Sequence, residues 1–305
     1  MSLTYAKVIV NPAAGAGRTE RIWPQIMGLF KGHGLRFEHE LTEAPGHAIE
    51  LAKSAIKKGF EMVVSVGGDG TLNEVVNGLY RAGSIGEAIL GIISTGTGSD
   101  YIRTIGLPRR YENACRCLVQ PKKQTVDLGI VEYIDNGQKA ERIFVNFAGM
   151  GFDAEVVRRT TQKYKAIGGL LGYLLATLTT FISYRNRDIS LTIDGETVDK
   201  RICTILVNNG KYGGGGMFAA PDASVDDGLF DVVIIGDLSK PDFLSSLPRI
   251  YKGTHLTHPK VTVKKVKEVE VQSSGGRVQL QADGELLGEL PSRFRVLPAA
   301  LSIVV

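Results

Sequence analysis

Met62-Val63-Val64-Ser65-Val66-Gly67-Gly68-Asp69-Gly70-Thr71-Leu72-Asn73-Glu74 reads as a buried strand that runs through a glycine turn into a helix. The residues before Gly67 are almost uniformly apolar, without alternation, as in a strand covered on both faces. Leu72, Val75, Val76 and Leu79 then recur at helical spacing. A strand end that meets a helix start gathers free backbone N–H groups and the positive end of the helix dipole, which favours a phosphate. Glycines let the backbone approach such a group closely, and Thr71 and Asn73 can hydrogen-bond it. Neither GxGxxG nor GxxxxGK[ST] is present, so the cradle has no lysine of its own. Asp69 would repel a bare phosphate, which makes Mg²⁺ or its water shell the mediator. The competing reading, a tight turn with Asp69 capping the helix, accounts for GGDG alone but poorly for the whole octet.

The same strand-loop-helix unit recurs on either side. Lys7 to Val10 is a short apolar run that ends at Asn11-Pro12 and the loop Ala13-Ala14-Gly15-Ala16-Gly17, and Ile22, Ile26, Leu29 and Phe30 mark a helical face. Leu35 to Leu41 alternates as a strand, Ile49 to Ile56 carries a helical stripe, and Ala88 to Ile93 leads into Thr95-Gly96-Thr97-Gly98-Ser99-Asp100. Such units predict a parallel sheet with helices on both faces and ligands beyond the carboxyl ends of its strands, where all three glycine loops fall. After about Val126 the pattern becomes period two: Val126 to Val131, Ile143 to Phe147, Ile189 to Ile193, Ile202 to Val207, Leu229 to Ile235, Val261 to Val271 and Val278 to Gln281. A helical stretch around 153–184 interrupts it. The fold class is therefore α/β in two domains: a nucleotide-type parallel-sheet domain over 1–126, and an antiparallel β-sandwich or curled sheet over 127–291.

Composition excludes disorder, collagen and coiled coil: 43% of the 305 residues are hydrophobic and 22% charged. The net charge of +4 is too small to argue for nucleic acid. Cys115, Cys117 and Cys203 include no CxxC pair and suggest neither a disulfide framework nor a zinc site. Met1 to Ala6 lacks a signal-peptide pattern, and a cytoplasmic protein is expected. Basic residues cluster at Arg103, Arg109, Arg110, Arg116, Lys122 and Lys123, and at Arg158, Arg159, Lys163, Lys165, Arg185 and Arg187. The second cluster brackets Ala166 to Tyr184, which has no charge and at ~1.5 Å per residue could nearly cross a bilayer. Its glycines, threonines and serine, and the helical spacing of Leu170, Leu171, Leu174, Leu175, Leu178 and Phe181, predict an amphipathic helix that packs on a sheet or lies on a membrane surface.

Two further sets of carboxylates are candidates for chemistry. Gln279 to Ala282 ends in Asp283-Gly284-Glu285, where a carboxylate could accept the proton of an attacking hydroxyl. Asp194-Gly195-Glu196 also follows an alternating strand, and spacing alone does not choose between a base and a hairpin turn. Asp222, Asp226 and Asp227 precede the strand at Leu229, either as a divalent-cation loop or as a solvated turn. His255 and His258 form no metal set and are expected at the surface.

In this order the motifs resemble those of the diacylglycerol kinase catalytic-domain family, in its compact bacterial form related to sphingosine and ceramide kinases. The resemblance covers nearly the whole chain: Asn11-Pro12, Gly67 to Glu74, Thr97 to Asp100, Asn146 with Gly149 to Asp153, Asn208-Asn209, Pro221 to Ala223 with Asp227 to Leu229, and Asp283 to Glu285. It implies a nucleotide domain like those of NAD kinases and phosphofructokinases, a carboxyl-terminal β-sandwich with ATP in the cleft between, and a return of residues 292–305 to the first domain. Asn11, Thr42, Gly67, Gly68, Asp69, Gly70, Thr71, Leu72, Asn73 and Thr97 would bind ATP. Ser224, Asp227 and Leu229 would hold a structural Mg²⁺, partly by main-chain oxygens. Asp283 and Glu285, rather than Asp194 and Glu196, would be catalytic, with Asp69 and Asp100 organising metal and water. Ser99 stands where the family commonly has Asn. The expected activity is ATP- and Mg²⁺-dependent phosphorylation of a membrane-lipid hydroxyl, on diacylglycerol or a relative, by a protein held peripherally at the inner face of the membrane. Anionic lipid is the expected partner, nucleic acid is not, and a homodimer is compatible with the sequence. An NAD kinase-like phosphotransferase and a catalytically silent lipid- or nucleotide-binding regulator are the alternatives.

Overall fold

Uniformly apolar strands need cover on both faces, and the amino-terminal part of the chain provides it by alternation. Strand β1 (Tyr5–Val10) leads to α1 (Ala14–Gly32), β2 (Arg36–Leu41) to α2 (His47–Lys57), and β3 (Met62–Gly67) to α3 (Asp69–Arg81). Strand β4 (Ile89–Ser94) leads to the short α4 (Asp100–Thr104) and to α5 (Tyr111–Val119). The computed structural model describes residues 5–119, 121–164, 167 and 169–305. Residues 1–4 of the amino terminus, and Lys165, Ala166 and Gly168 of the basic and apolar segment, lie outside the described residues. The chain divides into two compact units, Met1–Leu128 with Pro298–Val305, and Gly129–Leu297.

The first unit is a parallel sheet in the order β2-β1-β3-β4, to which Ser302 and Ile303 add beside β4. The chain leaves β1 toward β2 and returns to β3 on the other side, so the order reverses between β1 and β3. Ligands of such sheets bind at this switch point, outside the carboxyl ends of the strands. Val8, Val10, Val64 and Val66 pack with Trp23, Ile26 and Phe30 of α1 on one face.

The second unit is antiparallel. After β5 (Lys123–Asp135) come β6 (Gln138–Phe144), β7 (Phe147–Gly151), α6 (Phe152–Gln162), α7 (Gly169–Ser183), β8 (Arg187–Ile193), β9 (Glu196–Asn208) and β10 (Phe230–Gly236). Then follow α8 (Lys240–Tyr251), β11 (Val261–Val266), β12 (Glu268–Ser273), β13 (Gln279–Ala282) and β14 (Glu285–Val304). Long β9 pairs with β7 through Thr204–Asn208 and with β8 through Glu196–Ile202. The remaining ladders, β7 to β13, β13 to β14, β14 to β12 and β12 to β8, close a circuit that leaves few open edges. Phe144, Phe230 and Phe294 pack at its centre.

Several expectations change. Ile143 to Phe147 is two strands rather than one, broken at Val145-Asn146, and Val261 to Val271 breaks at Lys267. The helical stretch is two helices, α6 and α7. Helix α7 turns Ala176 and Thr180 inward with Tyr173 and Phe181. Its stripe of Leu171, Leu174, Leu178 and Ile182 does not pack on a sheet: these side chains are between 52% and 70% exposed. Among the described residues no helix is long and apolar enough to cross a membrane. His255 is buried rather than at the surface, with Nε2 3.1 Å from the Ala219 carbonyl. Desolvation holds its imidazole below the usual range.

Candidate active site

In the first unit, three glycine loops meet at the carboxyl edge of β1, β3 and β4. Gly15, Ala16 and Gly17 all have positive φ, which carries the backbone sharply over the end of β1 before α1 winds regularly. A Cβ on Gly15 would lie 2.5 Å from the Thr95 carbonyl oxygen, and one on Gly96 would lie 2.5 Å from the Gly68 Cα. Only glycine allows these approaches. Side chains complete the junction: Asn11 Nδ2 donates to Thr71 Oγ1 at 2.9 Å, and the Thr19 and Thr95 hydroxyls are 2.5 Å apart. Thr42 sits at the end of β2, its N–H on the Val10 carbonyl, and Glu74 accepts the Gly46 and Ala48 amides, which fixes the loop after Thr42.

The side chains of Thr71, Leu72 and Asn73 point inward. All three are buried, and Asn73 Oδ1 accepts from Asn77. What the first turn of α3 offers a ligand is its backbone N–H groups, which have no acceptor inside the helix. Gly70 and Thr97 are exposed, Gly67 ends β3, and Gly68 enters α3 in an extended conformation. Asp69 accepts the amides of Asp100 and Tyr101, each at 3.3 Å, and so caps α4. A Cβ on Gly98 would be 3.0 Å from Asp69 Oδ2 and 3.6 Å from Asp100 Oδ2, so both carboxylates border one space. Arg103 is the neighbouring cation, 3.8 Å from Asp100. Two hard oxygen donors beside free amides fit a hydrated Mg²⁺ carried by phosphates.

The second unit separates the two Asp-Gly-Glu turns. Asp194 and Asp283 both have positive φ, each followed by a positive-φ glycine, so the backbone is alike. Asp194 and Glu196 are exposed. Asp283 instead accepts the amides of Val145 at 2.7 Å and of Asn146 and Phe147 at 3.0 Å. Those donations use N–H groups that a continuous Ile143–Phe147 strand would have placed in its ladder. Glu285 is ion-paired with Arg142 at 2.5 Å, and Gln281 accepts the Gly284 amide while donating to Asp153. Burial pushes the Asp153 carboxyl up to about 6, against the lowering effect of Gln281.

Residues 5–131 match the model of the diacylglycerol kinase catalytic domain, and residues 146–305 that of the YegS C-terminal NAD kinase beta sandwich-like domain. A diacylglycerol kinase of Bacillus subtilis strain 168 is 31% identical over 98% of this chain and 96% of its own length. The chain belongs to the diacylglycerol kinase catalytic-domain family. A diacylglycerol kinase of Staphylococcus carnosus is 30% identical over 95% of this chain and 91% of its own. The crystal structure of a diacylglycerol kinase from Bacillus anthracis superposes with a TM-score of 0.73 at 19% identity, covering 100% of this chain and 97% of that one. Yeast NADH kinase shares the fold at TM-score 0.57 and 10% identity, covering 100% of this chain and 84% of that one. The protein is thus a kinase with an alcohol acceptor, on a two-domain fold of the NAD kinase type.

Within that family frame, Ser99 takes the left-handed conformation that suits the more usual Asn, and its hydroxyl bonds Ser94 at 2.8 Å within the loop. The loop expected to hold a structural Mg²⁺ is arranged differently. Asp227 accepts the Leu229 amide and pairs with Lys265 at 2.8 Å, Ser224 bonds Asp226, and Lys265 also reaches Asp231 at 3.2 Å. Lys265 is thus the cation that the Asp227 carboxylate pairs with in this arrangement. Among the described residues no group of three metal-type ligands occurs. Arg142, which carries no motif, could not be found from the sequence, because its partner Glu285 is 143 positions away.

Proposed function

We propose that the chain transfers the γ-phosphoryl group of ATP to a hydroxyl of a membrane lipid, diacylglycerol or a close relative. The observation that carries this reading is the convergence of three glycine loops with Asp69 and Asp100, on a chain whose family members carry the diacylglycerol kinase name. Backbone N–H groups at the start of α3 orient the phosphates, and the glycines at 15, 68 and 96 keep the backbone close enough to do so. Asp69 and Asp100 would hold Mg²⁺, which when bound would neutralise charge at the transferring group. In phosphoryl transfer the protein mainly positions and stabilises, and a carboxylate takes the proton of the attacking hydroxyl. That carboxylate belongs to the turn of Asp283 and Glu285, whose contacts distinguish it from its twin at Asp194. Membrane contact follows from the substrate, and the exposed apolar face of α7 and the basic clusters support it.

The NAD kinase-like alternative shares the fold and the GGDGT turn. Supplying γ-labelled ATP and Mg²⁺ with diacylglycerol vesicles or with soluble NAD decides between them. Label in the lipid fraction is expected. Label in NAD alone would move the protein to the other activity, and ATP binding without transfer to either would make it a regulator.

A further inference from the structure

The second unit contains a cavity of about 340 Å³ lined by five arginines, Arg158, Arg159, Arg185, Arg187 and Arg277, and by a single carboxylate, Glu155. Glu155 is committed to two of them. It receives Arg158 through Nε and Nη2, at 2.7 and 2.6 Å, and Arg159 at 2.9 Å. These contacts lock α6, and Arg159 also donates to Ser183 at the end of α7. The other three arginines come from elsewhere in the unit and have no such partner within the cavity lining. Arg187 lies over the Tyr184 ring at 5.8 Å, and Arg277 has Glu289 at 3.7 Å with 86% of its side chain exposed. Guanidinium groups gathered around one space with one carboxylate leave an excess of positive charge, and their planar forks suit phosphate oxygens two at a time.

The apolar stripe of α7 ends at this cavity. Ile182, 70% exposed, immediately precedes Ser183 and Tyr184 of the lining, and Leu178, Leu174 and Leu171 continue the stripe away from it. A soluble phosphate has no use for that stripe. A phospholipid presents a phosphate and hydrocarbon together, in this spacing of charge beside apolar surface. We propose that this cavity binds the phosphate of an anionic phospholipid headgroup, with the α7 stripe against the acyl region. The proposal needs only that the chain meets a membrane, and its test measures binding without ATP, so it can fail while the kinase reading stands, and the reverse.

The full chain is floated with phosphatidylcholine vesicles that contain either phosphatidate or oleate, at matched surface charge. Wild type is expected to bind the phosphatidate vesicles more tightly. Replacing the two most solvent-facing arginines together, Arg185→Ala with Arg277→Ala, is expected to weaken that binding about tenfold or more and to remove the preference over oleate. The pair Arg185→Lys with Arg277→Lys keeps the charge but not the fork, and is expected to recover oleate binding but not the preference. Leu174→Ser with Leu178→Ser, both exposed, is expected to weaken binding to both vesicles. Unchanged phosphatidate preference in the alanine pair would overturn the proposal. So would calorimetric binding of soluble glycerol 3-phosphate, or of an acidic peptide, as tight as that of the vesicles and indifferent to the α7 pair.

Discussion

A methyl group on Gly96 would come to rest 2.5 Å from the Gly68 Cα, and backbone on both sides has nowhere to give. Gly96→Ala is therefore expected to part the two loops and weaken ATP binding by at least about tenfold, roughly 1.4 kcal/mol, in titration calorimetry. Its folding should change much less, because both loops lie beyond the strand ends. Asp153 offers a second test. Burial raises its carboxyl to about 6, so the folded chain holds that proton more tightly than the unfolded one. Its contribution then favours folding where the group is protonated, and stability is lost as the pH rises from about 4 through about 6. Asp153→Asn, which can still accept from Gln281, should be the more stable protein above pH 7 by roughly 2 kcal/mol after allowance for residual exposure. Chemical denaturation at pH 5 and pH 8 checks this: the difference between the two proteins should grow with pH.

At the scale of elements, β10 and β11 place Asp231 directly opposite Lys265, and Asp227 approaches the same ammonium from the preceding loop. Asp231 is nearly buried, and desolvation raises its carboxyl, with Lys265 as the compensating cation. Lys265→Met should cost roughly 1–2 kcal/mol near neutral pH, discounted because the lysine itself is 41% exposed. The loss should shrink as the pH falls and Asp231 takes up a proton, which melting curves at pH 4.5 and 7.5 would show. Strands such as β3 and β4 were legible because burial on both faces leaves a run of apolar residues with no competing period. Val145 and Asn146 were not, because their residue types continue the alternation while their amides serve Asp283 far away in the chain. The apolar stripe of α7 was legible only in part: Leu171, Leu174 and Leu178 share an exposed face, but with Ile182 rather than with Phe181, which turns inward, and a helical period records a face and not what covers it.

For the whole molecule, the first unit's loops could be read because each glycine sits at a strand end that the local pattern defines. The second unit's carboxylates needed the fold. Asp194-Gly195-Glu196 and Asp283-Gly284-Glu285 share residues and turn geometry, and the carboxylates of the second differ through partners from 136 to 143 positions away. Family membership makes the chain a kinase, and the carboxylate proposed to take the acceptor's proton lies in the second of these turns. The most direct measurement is the initial rate of label transfer from γ-³²P-ATP to diacylglycerol vesicles by wild type, Asp283→Ala, Glu285→Ala and Asp194→Ala, with each protein's melting temperature and ATP affinity recorded. A loss of about 100-fold or more is expected in at least one member of the Asp283–Glu285 pair, with ATP affinity retained and Asp194→Ala close to wild type. Wild-type rates in both Asp283→Ala and Glu285→Ala, or an equal loss in Asp194→Ala, would contradict it.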